Sequence, residues 1–200
     1  MRPTPPSIFA VITLSTLLAA ASSHAAPDAG AKAHGYFNFY GHSAQHSFTS
    51  ARAHVDTYQR YLSETHGIAV PAGTADAATT PVVKSAAASG TPEFVDPEIA
   101  REAGDAISDD IERIQRHVAR MRGLATTLGD KTALTELHDL EKKLGDARRA
   151  HAALHEHHAA DSIAPAQAME LAQKVNEALR AAHAEHDDVM RRIDKPAAAR

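Results

Sequence analysis

Residues 96–129 read DPEIAREAGDAISDDIERIQRHVARMRGLATTLG, a sequence with the marks of one long amphipathic helix. Its apolar residues recur in alternating steps of four and three, which places them on one helical face. These residues are Ile107, Ile111, Ile114, Val118, Met121, Ala125 and Leu128. Asp96 suits the N-cap, Pro97 the first helical position, and Gly129 the C-terminal end. Both boundaries of this helix are therefore predicted together with its buried face.

The same alternation continues on either side of this helix. A third helix follows the capping residue Asp130, with the face Leu137, Leu140, Leu144, Ala147, His151, Leu154 and His158. A fourth opens at Pro165, with Ala168, Ala172, Val175, Leu179, Ala182, His186, Val189 and Ile193. An earlier helix, ended by Gly67, carries Ala44, Phe48, Ala51, Val55, Tyr58 and Leu62. The short turns between the last three helices require antiparallel neighbours.

These patterns divide the chain into four parts. Residues 1–25 carry Arg2, an apolar run and then small residues, which predicts a cleaved signal peptide. Residues 43–66 form the N-terminal helix, 67–95 a flexible linker, and 96–195 an antiparallel three-helix core. We expect an exported protein, periplasmic or extracellular, with no transmembrane segment in the mature chain. The fold class is all-α: an antiparallel, coiled-coil-like bundle of four helices, or three long helices with a loosely docked N-terminal helix.

Composition excludes several classes of protein. The chain has no Cys and no Trp, which rules out disulfides, thiolate metal sites and covalently attached haem. Its formal net charge of −4 argues against nucleic acid as a partner. No Glu-x-x-His, HExxH, GxSxG or phosphate-loop motif is present, so we expect no enzyme. Asp109–Asp110 and Asp187–Asp188 are interpreted as ordinary solvated pairs.

One segment carries a family resemblance. Residues 153–193 read ALHEHHAADSIAPAQAMELAQKVNEALRAAHAEHDDVMRRI. This tract resembles the C-terminal half of an uncharacterised family of exported, His- or Cys-bearing helical-bundle proteins. In that family, paired cysteines can occupy places like those of His157 and His158. The resemblance implies ligand-type residues at this turn, and it brings no known activity with it.

The chain contains 14 histidines, an unusually large share, and one group of them ends the third helix. His151, His155 and His158 are spaced i, i+4 and i+7, which stacks their side chains along one face. Two of the three replace the leucine expected on the apolar face. His157 adds another imidazole and Glu156 a carboxylate. The group predicts a metal site, and the alternative is a solvated helix end.

A second group depends on how the helices pair. If both turns are hairpins, His117 and His183 fall at the same level of the bundle and His186 lies within one turn of them. His138 lies near the same level but points outward. These residues predict a second metal site. The alternative is two surface histidines beside one hydrogen-bonded core histidine.

Together the histidines favour an exported bundle that binds divalent transition-metal ions as a buffer, carrier or sensor. Neutral imidazole without thiolate suits Zn²⁺, Cu²⁺, Ni²⁺ or Co²⁺, and suits Cu⁺ less well despite Met121, Met169 and Met190. The alternative function is a structural or protein-interaction bundle, partnered by another protein or by itself. Its histidines would then make it responsive to pH.

Overall fold

The structure, a computed structural model, describes residues 26–70 and 93–194, and these contain four helices and no strand. The helices are α1 (Ala26–His66), α2 (Pro97–Leu128), α3 (Lys131–His158) and α4 (Pro165–Asp194). The predicted all-α class is confirmed, in its four-helix form. The predicted signal peptide, most of the predicted linker and residue 195 lie outside the described residues.

The helices form a closed antiparallel ring. α1 packs on α2 and α4, and α3 packs on the same two helices from the opposite side. Arg192, near the end of α4, pairs with Glu136, near the start of α3, at 2.7 Å. Val95, just before α2, donates its backbone N–H to the carbonyl of Ile163 in the α3–α4 turn. Each helix is therefore held by two neighbours along its length.

The predicted apolar faces form the core of the bundle. All their members are buried except Leu128 and Ile193, which are partly buried at the bundle end. The predicted caps are also present. The Asp96 side chain accepts from the Glu98 N–H, the Asp130 side chain accepts from the Ala133 N–H, and Gly129 has a left-handed φ of 68°.

The first helix was predicted too short. It begins at Ala26 and not at residue 43, so it docks along the full bundle. Ala33, Phe37 and Gly41 are buried and carry the core face back in steps of four. Glycine disfavours a helix by about 1 kcal/mol relative to alanine, but packing of the apolar face outweighs that cost here.

The interpretation of Asp110 as solvated was also wrong. Only 2% of the residue is exposed. Its carboxylate lies 3.1 Å from Nδ1 of His54 on α1 and 3.0 Å from Arg113 on its own helix. A buried carboxylate needs such partners because desolvation of an isolated charge is costly. Asp110 therefore contributes a polar contact between α1 and α2, which periodicity does not reveal.

Candidate functional site

The predicted turn group occupies the end of α3, where its histidines face different surroundings. His151 is buried, and its Nε2 donates to the carbonyl oxygen of Gly104 on α2 at 2.9 Å. His155 is exposed, with Nε2 3.9 Å from a carboxylate oxygen on α2. His157 faces the α3–α4 turn, with Nε2 3.3 Å from the carbonyl oxygen of Ala164.

His158 lies inside the bundle without a well-formed hydrogen bond from either ring nitrogen to a described residue. Its ring packs edge-on against Tyr58 of α1, with centroids 5.1 Å apart. Gly104 leaves room for it, since a Cβ there would lie 3.3 Å from Nδ1 of His158. Burial, and then the neighbouring histidines, lower the pKa of His158 to about 4, against a small opposing effect of the Ala100 backbone. The ring is therefore neutral at pH 7.

These four histidines do not converge on one point. Their helical spacing is as expected, but His151 is tied to α2, His155 faces solvent and His158 faces the core. Across the two described ranges, no three or more His, Asp or Glu side chains are grouped so that they could hold a metal ion. Histidines with regular helical spacing therefore do not orient their rings toward one point here, because each ring has different contacts.

The structure does bring two members of the second predicted group together. His183 and His186 of α4 have ring centroids 6.4 Å apart. Both pack on Phe48 of α1, which stacks on His183 at 5.0 Å and meets His186 at 5.5 Å. His186 has no exposed surface, whereas the His183 side chain is 15% exposed.

Asp187 lies between these two rings. Its Oδ1 is 3.6 Å from Nε2 of His183 and 3.7 Å from Nδ1 of His186. Burial lowers the pKa of both histidines, and the Asp187 charge opposes that effect. Asp187 is thus part of a histidine–carboxylate group and not simply a solvated residue. The sequence shows Asp187 directly after His186. Its contact with His183, four residues earlier, arises because α4 brings these two side chains onto one face.

The remaining predicted member, His117, has other neighbours. The centroid of its ring lies 6.0 Å from the centroid of the Tyr40 ring on α1. Burial, then the charges of two arginines of α2, lower its pKa. His117 lines a shallow groove between α1 and α2 whose residues are Ser43, His46, Ser47, Ser50, Arg113 and His117. His138 is exposed on α3, as expected.

Two methionines lie at a glycine whose backbone interacts with the core histidine, a feature that the histidine pattern did not reveal. A Cβ added to Gly41 of α1 would lie 2.2 Å from Sδ of Met190 and 3.6 Å from Cε of Met121. The Gly41 backbone also lies close enough to His186 to favour its protonated form slightly. The spacing of His186 and Met190, one helical turn apart, was the available sequence signal.

Comparison with models of protein families, with curated proteins and with solved structures finds no match to this chain. None of the helices that the structure describes is both long and apolar enough to cross a membrane. The function must therefore be argued from the side chains themselves.

Proposed function

We propose that the protein binds a transition-metal ion in its core, at His183 and His186, as an exported buffer, carrier or sensor. The observation that carries the proposal is His186, a fully buried imidazole that makes no well-formed hydrogen bond to a described residue and has only weaker interactions with the Gly41 backbone and Asp187. Burying such a group costs about 1–3 kcal/mol. A ligand that uses the ring would offset this cost.

The spacing around Asp187 supports the proposal. Ligand atoms bound tetrahedrally at about 2.1 Å lie about 3.4 Å apart, close to the 3.6 and 3.7 Å that separate Oδ1 from the two nitrogens. As they stand, these three side chains are not grouped to hold an ion. The two rings, with centroids 6.4 Å apart, would have to move closer to share one. Two neutral imidazoles and a carboxylate suit Zn²⁺, Co²⁺, Ni²⁺ or Cu²⁺.

Equilibrium titration with Zn²⁺ and Co²⁺ at pH 7.5, with metal counted per chain, tests this proposal. We expect one strongly bound ion and a raised melting temperature, because a ligand at 100 times its Kd adds about 2.7 kcal/mol of stability. His186→Leu should weaken binding at least tenfold, whereas the exposed control His138→Ala should not. Unchanged melting temperatures with both Zn²⁺ and Co²⁺ would refute metal binding, and equal losses from the two variants would indicate diffuse surface binding.

A second candidate function is a structural or protein-interaction bundle that responds to acid, and His158 favours it. Among the residues that the structure describes, none of opposite charge compensates this ring where it packs. On α3 it is near His151, His155 and His157, on α1 it meets Tyr58, and on α2 it meets Ala100 and the unsubstituted Gly104. Protonation would therefore place an unpaired charge at the end of the bundle and loosen that end.

Measurement of self-association against pH tests this second candidate. Between pH 7 and 3.5, a range that passes below the His158 pKa of about 4, analytical ultracentrifugation should detect a change in oligomeric state as the bundle end opens. His158→Leu should remove that change, whereas the exposed control His42→Ala should keep it. A constant oligomeric state across this range, or the same change in both variants, would contradict an acid-controlled interaction.

A further inference from the structure

We infer that His186, Met190 and Met121 form a binding site for univalent copper, Cu⁺. The inference rests on the proposed metal binding at His186 and adds a second set of donors, through which the same ring would take Cu⁺. It differs from the expectation drawn from the sequence, which favoured divalent ions because the chain lacks thiolates. The three side chains come from two helices, and their meeting point lies on a third, at Gly41 of α1.

The contacts of Gly41 show that the potential ligands share one region of the core. Sδ of Met190 lies 2.2 Å and Cε of Met121 lies 3.6 Å from the position that a Cβ would take. The backbone of the same glycine lies beside the His186 ring. His186, Met190 and Met121 are 0%, 6% and 0% exposed. One imidazole, the sulfur of Met190 and the terminal methyl group of Met121 are therefore gathered around one residue, away from water.

The chemistry of this donor set selects a soft ion of low charge. Thioether sulfur binds Cu⁺ in preference to hard divalent ions, and imidazole binds copper as well. All three donors are neutral, so the site does not compensate a divalent charge. A univalent ion costs less to bury than a divalent one. The carboxylate of Asp187, 3.7 Å from Nδ1 of His186, supplies one negative charge at the edge of the site.

Methionine also fills irregular gaps in cores without binding metal, so the chain needs a matched comparison. Met169 provides it. This residue is 3% exposed and belongs to the same helix as Met190, but it lies about six turns earlier and away from Gly41. Leucine is close to methionine in volume, so Met→Leu variants remove the sulfur with little change in packing.

The test is anaerobic Cu⁺ titration of the full chain in competition with a chromophoric Cu⁺ chelator. Met190→Leu and Met121→Leu should each weaken Cu⁺ binding at least tenfold, and His186→Leu should do the same. Met169→Leu should leave the affinity unchanged. X-ray absorption of the copper-loaded protein should show sulfur as well as nitrogen in the first coordination shell, and circular dichroism should show all four variants folded.

The outcomes separate this inference from the function on which it rests. Binding of Zn²⁺ or Co²⁺ that depends on His186, with no Cu⁺ binding, would overturn the copper site and retain the proposed metal binding. Cu⁺ binding unaffected by Met190→Leu, or equally affected by Met169→Leu, would also overturn the site. Failure to bind any of the three ions would overturn both proposals.

Discussion

Three histidines occupy core positions where leucine would pack without polar atoms, and each has a different environment. His151 donates to a backbone carbonyl of α2. His186 lies against Phe48 with Asp187 nearby. His158 packs on Tyr58 and lies near the Ala100 backbone, but it makes no well-formed hydrogen bond to a described residue. The cost of a core histidine is therefore set by its partners and differs from one site to the next.

Substitution of the two α3 histidines should have unequal effects on stability. In the metal-free protein at pH 7, His158→Leu should raise the free energy of unfolding by about 1 kcal/mol or more, because it removes an unpaired buried polar group. His151→Leu should give a smaller gain or a loss, since it also removes a hydrogen bond worth about 1 kcal/mol. Urea denaturation measures both. A stability loss in His158→Leu would show that the ring has a partner not identified here.

At the level of the element, α1 depends on the absence of a side chain at one position. Gly41 falls on its buried face, where the thioether of Met190 takes the space of a Cβ. Gly35, on the same helix, has no atom within 4 Å of the corresponding position. These two glycines of one helix are thus expected to have opposite effects on its stability. One is required by close packing with α4, whereas the other lowers helix stability without a packing gain.

Alanine substitution distinguishes these two glycines. Gly41→Ala should lower the free energy of unfolding by about 1–3 kcal/mol, because Met190 must move within a filled core. Gly35→Ala should raise it by up to about 1 kcal/mol through helix propensity alone. Thermal and urea unfolding provide the measurements. A gain of stability in both variants would mean that Met190 relocates at no cost and that Gly41 is not a packing requirement.

At the level of the whole molecule, burial places neutral histidines at several levels of the bundle. The pKa values of His151, His158, His183 and His186 are all lowered, with desolvation as the largest cause in each. The unfolded chain, whose histidines have ordinary pKa values near 6.5, therefore binds more protons than the folded chain in mild acid. Acid should therefore lower the free energy of unfolding by protonating buried histidines.

The free energy of unfolding should accordingly be highest above pH 6.5 and fall as the pH is lowered. For His158 the loss runs from about pH 6.5 to its folded pKa of about 4 and then stops. It amounts to at most about 3 kcal/mol at 1.36 kcal/mol per pKa unit. Urea midpoints at pH 7.5, 6, 5 and 4 should therefore decline, and less steeply for His158→Leu. An identical decline in the wild type and this variant would show that His158 is not buried neutral.

Much of this structure follows from local pattern. The alternation of apolar residues in steps of four and three requires helices with one buried face, and short turns at Gly129 and before Pro165 require antiparallel neighbours. Asp96 and Asp130 mark helix starts through hydrogen bonds made within a few residues, and Pro97 does so through its fixed φ. These features depend on contacts close in sequence, so the sequence by itself determined the helical faces, the bundle and its caps.

Contacts between helices decided the rest. The N-terminal part of α1 is stabilised by packing of Phe37 and Gly41 against other helices. The local sequence, with its glycines, does not predict this stabilisation. Burial of Asp110 depends on His54, far away in sequence. Ring direction also depends on neighbours. The evenly spaced histidines of α3 diverge, whereas His186 interacts with the Gly41 backbone of α1, the glycine on which Met190 and Met121 also lie. Sequence periodicity specifies which face a side chain occupies, but only tertiary packing determines what that side chain touches.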